Sequence, residues 1–116
     1  MNLIAVMTTT DSPDDARSIA SALVDRRLAA CVHISRIESV YRWQDKIQSD
    51  REYRLFIKTT ADRYEDVEAT ILELHRYDLP AVIAVDIPRA HVPFAEWVRD
   101  NATGERMTAK SETDDA

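Results

Sequence analysis

Leu28-Ala29-Ala30-Cys31-Val32-His33-Ile34 is the stretch whose period decides the fold. Leu28, Ala30, Val32 and Ile34 fall on one face and Ala29, Cys31 and His33 on the other, the two-residue repeat of a strand with both faces at least partly covered. Ile37, Val40, Tyr41 and Trp43 carry the strand tendency on to Gln44-Asp45. It resumes at Ile47 and runs through Tyr53-Arg54-Leu55-Phe56-Ile57-Lys58-Thr59. The pattern predicts a long hairpin with its turn near Asp45.

On the N-terminal side, Ser12 offers a helix cap, Pro13 suits the first helical position, and Asp14 and Asp15 favour the positive end of the helix dipole. Ala16, Ile19, Ala20, Leu23 and Val24 then recur at three- and four-residue spacing, and Arg26 and Arg27 sit near the negative end. Ahead of this helix, Leu3 to Met7 reads as a buried strand, with Thr8, Thr9 and Thr10 as the loop that follows.

On the C-terminal side, Thr59 and Asp62 have capping-box spacing, and Tyr64, Val67, Ile71 and Leu74 mark a second helix ending near His75. Leu79 to Ile87 reads as a strand entered through Pro80 and closed by Pro88. Pro93 begins a short third helix carrying Phe94, Trp97 and Val98. From Thr103 onward no apolar period remains, so residues 103–116 are expected to form a disordered acidic tail beyond a domain of residues 1–102. The order β-α-β-β-α-β plus a terminal helix is that of an α+β, ferredoxin-like sandwich, with both main helices on one face of a four-stranded antiparallel sheet.

Such a sheet leaves its other face uncovered. About 15 residues of strand span roughly 50 Å, whereas a helix of about 13 residues spans only about 20 Å, so the hairpin outruns its helices. Val40, Tyr41, Trp43 and Ile47 cluster at the overhang, where a two-stranded ribbon alone in water is marginal. A second copy of the chain is the expected shelter, and the helix-free Ala29-Cys31-His33 face points the same way. The competing expectation is a break near Ser35-Arg36 that folds the aromatics back onto their own core.

With 116 residues, 45% hydrophobic and 31% charged, the chain makes one domain. Its 21 acidic and 15 basic side chains give a net charge of -6, which argues against nucleic acid as a partner. One glycine, Gly104, excludes glycine-rich phosphate loops. One cysteine excludes an internal disulfide and a C-x-x-C centre, which fits a reducing cytoplasm. The first residues read as lacking a leader, and no apolar run reaches the ~20 residues of a membrane span.

Four segments in order resemble one family: Arg27-Leu28-Ala29-Ala30-Cys31-Val32, Ser39-Val40-Tyr41-Arg42-Trp43, Ile57-Lys58-Thr59, and His75-x-Tyr77-x-x-Pro80. They are similar to the CutA divalent-cation-tolerance proteins over roughly Leu3 to Arg99. The resemblance implies a cytoplasmic homotrimer of ferredoxin-like subunits locked by their hairpins, similar in architecture to PII-type signalling proteins, and linked to copper and other divalent ions without an agreed molecular activity. Two positions depart from the family pattern. Asp45 stands where glycine is frequent in the hairpin turn, and Ala81 stands where a glutamate is expected after the proline, which removes one carboxylate from a His-plus-Glu metal site.

Cys31 and His33 leave the same strand face with Cα atoms roughly 6.6 Å apart, and thiolate with imidazole suits a copper-type or other divalent ion held weakly. The plain alternative for Cys31 is a small packing residue. His75 lies at a helix end, where an imidazole caps carbonyls or, as the resemblance implies, faces a cleft with Tyr77 beside it and Lys58 at the end of its strand. Tyr41 and Trp43 are read as interface anchors rather than ligand-stacking rings. His91 carries no supporting pattern. Nothing sets a base and an orienting group beside Cys31, so no catalytic residue is expected. The reading from all this is a metal-tolerance homotrimer that binds metal or serves as a scaffold. The alternative is a PII-like regulator binding a small metabolite or partner protein at inter-subunit clefts.

Overall fold

The computed structural model describes residues 2–104. They form β1 (Leu3–Thr10), α1 (Pro13–Asp25), β2 (Cys31–Trp43), β3 (Lys46–Thr60), α2 (Tyr64–Leu74), β4 (Ile83–Ile87) and α3 (Val92–Asn101), with one 3-10 turn at Ala61–Arg63 before α2. The four strands make one sheet in the order β2-β3-β1-β4, and every neighbouring pair is antiparallel.

Local chemistry sets the ends of α1. The Ser12 hydroxyl accepts a hydrogen bond from the Asp15 N–H at 3.0 Å, with Pro13 in the first turn. At the other end the Arg27 N–H donates to the Val24 carbonyl at 3.0 Å and the Leu28 N–H to the Leu23 carbonyl at 2.9 Å. This pair of bonds is a Schellman cap, and it puts Arg27 in the left-handed region at φ 57, a position that favours glycine.

That cap also corrects the predicted start of the hairpin. Leu28 and Ala29 both bury in the cluster beneath α1 and α2, while Ala30 buries on the opposite side. Strict alternation therefore begins at Cys31, because the 28–30 segment is still leaving the helix. From there β2 pairs with β3 without a break as far as Trp43 and Lys46, so the expected alternative of a break at Ser35-Arg36 does not occur. Gln44 and Asp45 turn the chain with both φ angles positive, 52 and 65, the signature of a two-residue type I′ turn built without glycine.

Ile4, Val6, Leu55 and Ile57 pack under Ala16, Ile19 and Leu23 of α1 and Val67 and Ile71 of α2. Each such aliphatic side chain contributes about 1.5–3 kcal/mol when fully buried. The other face is not bare, as the sequence suggested: α3 covers one end of it, where Ala95 and Val98 bury against Leu3 and Ala30 with Ile87 alongside.

Three boundaries differ from expectation. Thr8–Thr10 belong to β1, since the long β3 supplies partners as far as Tyr53. The Thr59–Asp62 capping box does not form: Thr59 is still in β3, donating its hydroxyl to the Leu28 carbonyl at 2.7 Å, and it is Thr60 that bonds Asp62, holding that carboxyl below the usual range. β4 is only five residues, because Leu79–Val82 leave the ladder. Thr103 and Gly104 lie in the described body, not in a tail. The Gly104 N–H donates to the Arg27 carbonyl at 2.8 Å, and at φ 72 a Cβ there would sit 2.2 Å from Arg63 Nη1. The tail expected beyond Gly104 lies outside the described residues.

β2 and β3 contain 13 and 15 residues against 13 and 11 in α1 and α2. At about 3.3 Å per strand residue and 1.5 Å per helix residue, the ribbon is more than twice as long as its cover. The longest dimension of the described protein is 51 Å, against 32 and 20 Å for the other two.

Candidate functional site

His75 closes α2, its N–H donating to the Ile71 carbonyl at 2.8 Å. Its ring turns inward rather than to solvent. Nε2 lies 2.7 Å from the Thr9 carbonyl of β1, and Nδ1 accepts the Tyr77 N–H at 3.1 Å. A carbonyl only accepts and a backbone N–H only donates, so these two bonds select the tautomer with the proton on Nε2. With both nitrogens engaged, His75 has no lone pair free for a metal. It acts instead as a clip that fixes the 75–77 loop against the end of β1, with the Tyr77 ring centroid 4.7 Å from its own.

So held, Tyr77 reaches across to the hairpin, where its hydroxyl donates to Glu52 Oε2 at 2.7 Å. Burial, reinforced by the bond to Glu52, pushes the phenol's pKa well up. Further out, the Tyr41 hydroxyl donates to Asp50 Oδ2 at 2.6 Å, and chiefly that bond raises Tyr41 to about 12. Glu52 is only 8% exposed although it sits in the charged run Asp50-Arg51-Glu52.

Tyr41, Glu52 and Tyr77 line one cavity of about 390 Å³. Thr9 and Glu52 form its floor on the sheet face turned away from α1 and α2, Tyr41 and Trp43 one wall, and Tyr77, Asp78, Leu79 and Ala81 the other. The period of two explains the hairpin members. Ser39 pairs with Asp50, Tyr41 with Gln48 and Trp43 with Lys46, so Tyr41, Trp43, Asp50 and Glu52 all leave the same face. Ala81, where the resemblance expects a carboxylate, gives this wall only a methyl group.

The other predicted residues lie elsewhere. Cys31 and His33 do share that face, as their spacing predicted, paired with Lys58 and Phe56 respectively. Lys58, however, is level with Ala5 on β1, whereas His75 bonds Thr9, four residues or about 13 Å further along. Within one subunit Lys58 therefore does not join His75 and Tyr77; its ammonium lies 5.3 Å from the centre of the Phe94 ring of α3. For the same reason Cys31 and His33 cannot share an ion with His75 within one subunit. Among the described residues no group of three or more His, Cys, Asp or Glu side chains is placed to hold a metal ion. Among them, too, no helix is long and apolar enough to cross a membrane.

Sequence patterning missed Glu52, Asp50 and Thr9. Hairpin parity alone could have put Glu52 on the Tyr41 face, but no local signal announces that a carboxylate in a charged run is covered by a tyrosine 25 positions later.

A sequence profile described as CutA1 divalent ion tolerance protein matches residues 4–101. The divalent-cation tolerance protein CutA of Thermus thermophilus is 38% identical over 97 residues, which is 83% of this chain and 94% of that protein. Among solved structures, the divalent ion tolerance protein CutA1 of Ehrlichia chaffeensis superposes with a TM-score of 0.83 at 37% identity, over 88% of this chain and 96% of that one. CutA1 of the psychrotrophic bacterium Shewanella sp. SIB1 gives a TM-score of 0.85 at 34% identity, with the same two coverages.

Proposed function

The chain belongs to the CutA1 divalent ion tolerance family, and on that premise we propose that it works as a cytoplasmic homotrimer of ferredoxin-like subunits in divalent-cation tolerance, without catalysis. The observation that carries the assembly is the bare ribbon: Val40 and Ile47 are 73% and 69% exposed on one face of the hairpin, beyond the reach of either helix. Ile83 and Val85 add exposed aliphatic surface at the β4 edge on the opposite face. A ribbon of this length and composition gains most by packing against a second and third copy.

Metal contact in this reading is weak and shared. Cys31 and His33 supply a soft pair from each subunit, and neighbouring copies or water complete the shell. His75 leaves the ligand set because its nitrogens are committed, and Ala81 supplies no carboxylate. The unpaired thiol of Cys31 suits a reducing compartment, which is the basis for the cytoplasmic assignment.

Copper(I) and zinc titrations of the purified protein, followed by calorimetry, test the assignment. Cys31→Ala and His33→Ala should each weaken binding at least tenfold, while His75→Ala should leave it within threefold. Equal affinity in all variants would remove the Cys31–His33 pair from the function.

A further inference from the structure

We propose that His75 is an acid-sensitive latch: a second proton on its ring releases the backbone of the 76–81 loop and leaves α2 in place. This goes beyond the metal-tolerance reading and does not depend on the Cys31–His33 pair. In the neutral ring Nε2 donates to the Thr9 carbonyl at 2.7 Å and Nδ1 accepts the Tyr77 N–H at 3.1 Å. The two bonds respond to a proton in opposite ways. The imidazolium carries an N–H on both nitrogens, so the bond to Thr9 becomes charge-assisted and tightens, while Nδ1 loses the lone pair that holds Tyr77. Two N–H groups then face each other where one bond stood, and the backbone at Tyr77 turns away.

The loop has few other ties. Residues 75–82 belong to no helix or strand. Arg76 reaches Asp15 at 3.5 Å from a largely exposed position, an ion pair worth little in water. Val82 packs against the helix-side core at the far end, and the Tyr77 hydroxyl on Glu52 holds the tip of a side chain rather than the backbone. The charged and titratable groups around the His75–Tyr77 pair come from every neighbouring element. They are Asp11 beyond β1, Tyr41 of β2, Glu52 of β3, Asp15 of α1 with its partner Arg76, and Glu73 of α2 with its partner Arg26 at 3.4 Å. Tyr41 and Tyr77 have raised pKa values and stay neutral as pH falls, so only the carboxylates compete with His75 as the trigger. Thr9, His75 and Tyr77 belong to one chain, so the latch needs no open surface and operates with or without neighbouring copies on the hairpin.

The test follows the full chain, labelled with nitrogen-15, by NMR from about pH 8 to about pH 5, a range that brackets an ordinary imidazole. The His75 ring nitrogens report the proton and the Tyr77 amide reports the loop. Both should move with one midpoint. Hydrogen-exchange protection of the Tyr77 amide, corrected for intrinsic rates, should fall at least tenfold across it, while amides of α1 keep theirs. His75→Asn is a lock that does not titrate, because an Asn side-chain oxygen accepts an N–H two residues on. Its Tyr77 amide should be equally protected at both ends of the range. Glu52→Gln removes the rival trigger and should leave the acid response within twofold of the parent. A Tyr77 amide that stays protected while the His75 ring takes up its proton, or a ring that stays neutral until the whole fold is lost, would overturn the latch. So would an acid response abolished in Glu52→Gln or fully kept in His75→Asn. Should His75→Asn fail to fold, the shared midpoint in the parent still decides.

Discussion

The two ends of one hairpin are made of the same kinds of residue and share the same pairing, yet they meet opposite fates. At the base, Leu55 and Ile57 are fully buried under α1 and α2. At the tip, Val40 and Ile47 stand on the same sheet face with most of their surface in water. Composition does not separate them; the lengths of the helices do. Alternation says which way a side chain points, and only the count of residues in the covering elements says whether anything is there to meet it.

The sharpest way to break this contrast is to cut one aliphatic side chain back to a methyl group at each end. Ile57→Ala should lower stability by about 2–5 kcal/mol in denaturant titrations, the usual range for truncating a buried aliphatic side chain. Val40→Ala should cost under about 0.5 kcal/mol when the subunit is studied under dissociating conditions, as an exposed position does. Comparable losses would mean the tip is covered within one chain.

Between those extremes lies the His75 clip, which ties the 77–81 loop to the end of β1. His75→Ala should cost about 1–3 kcal/mol by stranding the Thr9 carbonyl. It should also loosen Tyr77, seen as a weakened tyrosine signal in the near-ultraviolet circular dichroism. A variant as stable as the parent would make the ring incidental.

High pH sharpens the contrast more gently. Tyr64, near the helix-covered base, and Tyr41 and Tyr77 in the cleft all have raised pKa values, the first and last mainly through burial and Tyr41 mainly through Asp50. An unfolded phenol titrates near 10, so the folded protein gains stability that is complete below about pH 10 and is lost as pH rises through the raised values, about 12 for Tyr41. Absorbance at 295 nm should therefore show ionisation delayed in the native protein relative to the unfolded chain. A simple titration near 10 for all four tyrosines would contradict the Asp50 and Glu52 bonds.

The smallest effect belongs to the turn. Gln44 and Asp45 hold positive φ angles that glycine accepts more readily. Asp45→Gly should stabilise the hairpin by about 0.4–1 kcal/mol, read as a rise in melting temperature. A drop would show that Asp45 makes a contribution the backbone angles do not reveal.

Much of this was legible in the chain itself. The hairpin and its turn followed from period and turn chemistry, α1 from Ser12 and Pro13, and the pairing of His75 with Tyr77 from their motif. What stayed hidden depends on partners distant in sequence. Thr8–Thr10 join β1 because β3 is long enough to pair with them, Ala29 turns inward because of a cap centred on Arg27, and Glu52 is covered by a tyrosine from beyond α2. The distance between Lys58 and His75 within one subunit also stayed hidden, because strand register, which sets Lys58 beside Cys31 and Ala5, cannot be read from one strand alone.

Whether copies of this chain shelter the ribbon is answered most directly by sedimentation velocity at micromolar concentration, comparing the parent with a Val40→Asp, Ile47→Asp double variant. The parent should sediment as a trimer and the variant as a single subunit that keeps its far-ultraviolet circular dichroism. A parent that sediments as one folded subunit, or a double variant that remains trimeric, would contradict the proposed sheltering of the hairpin.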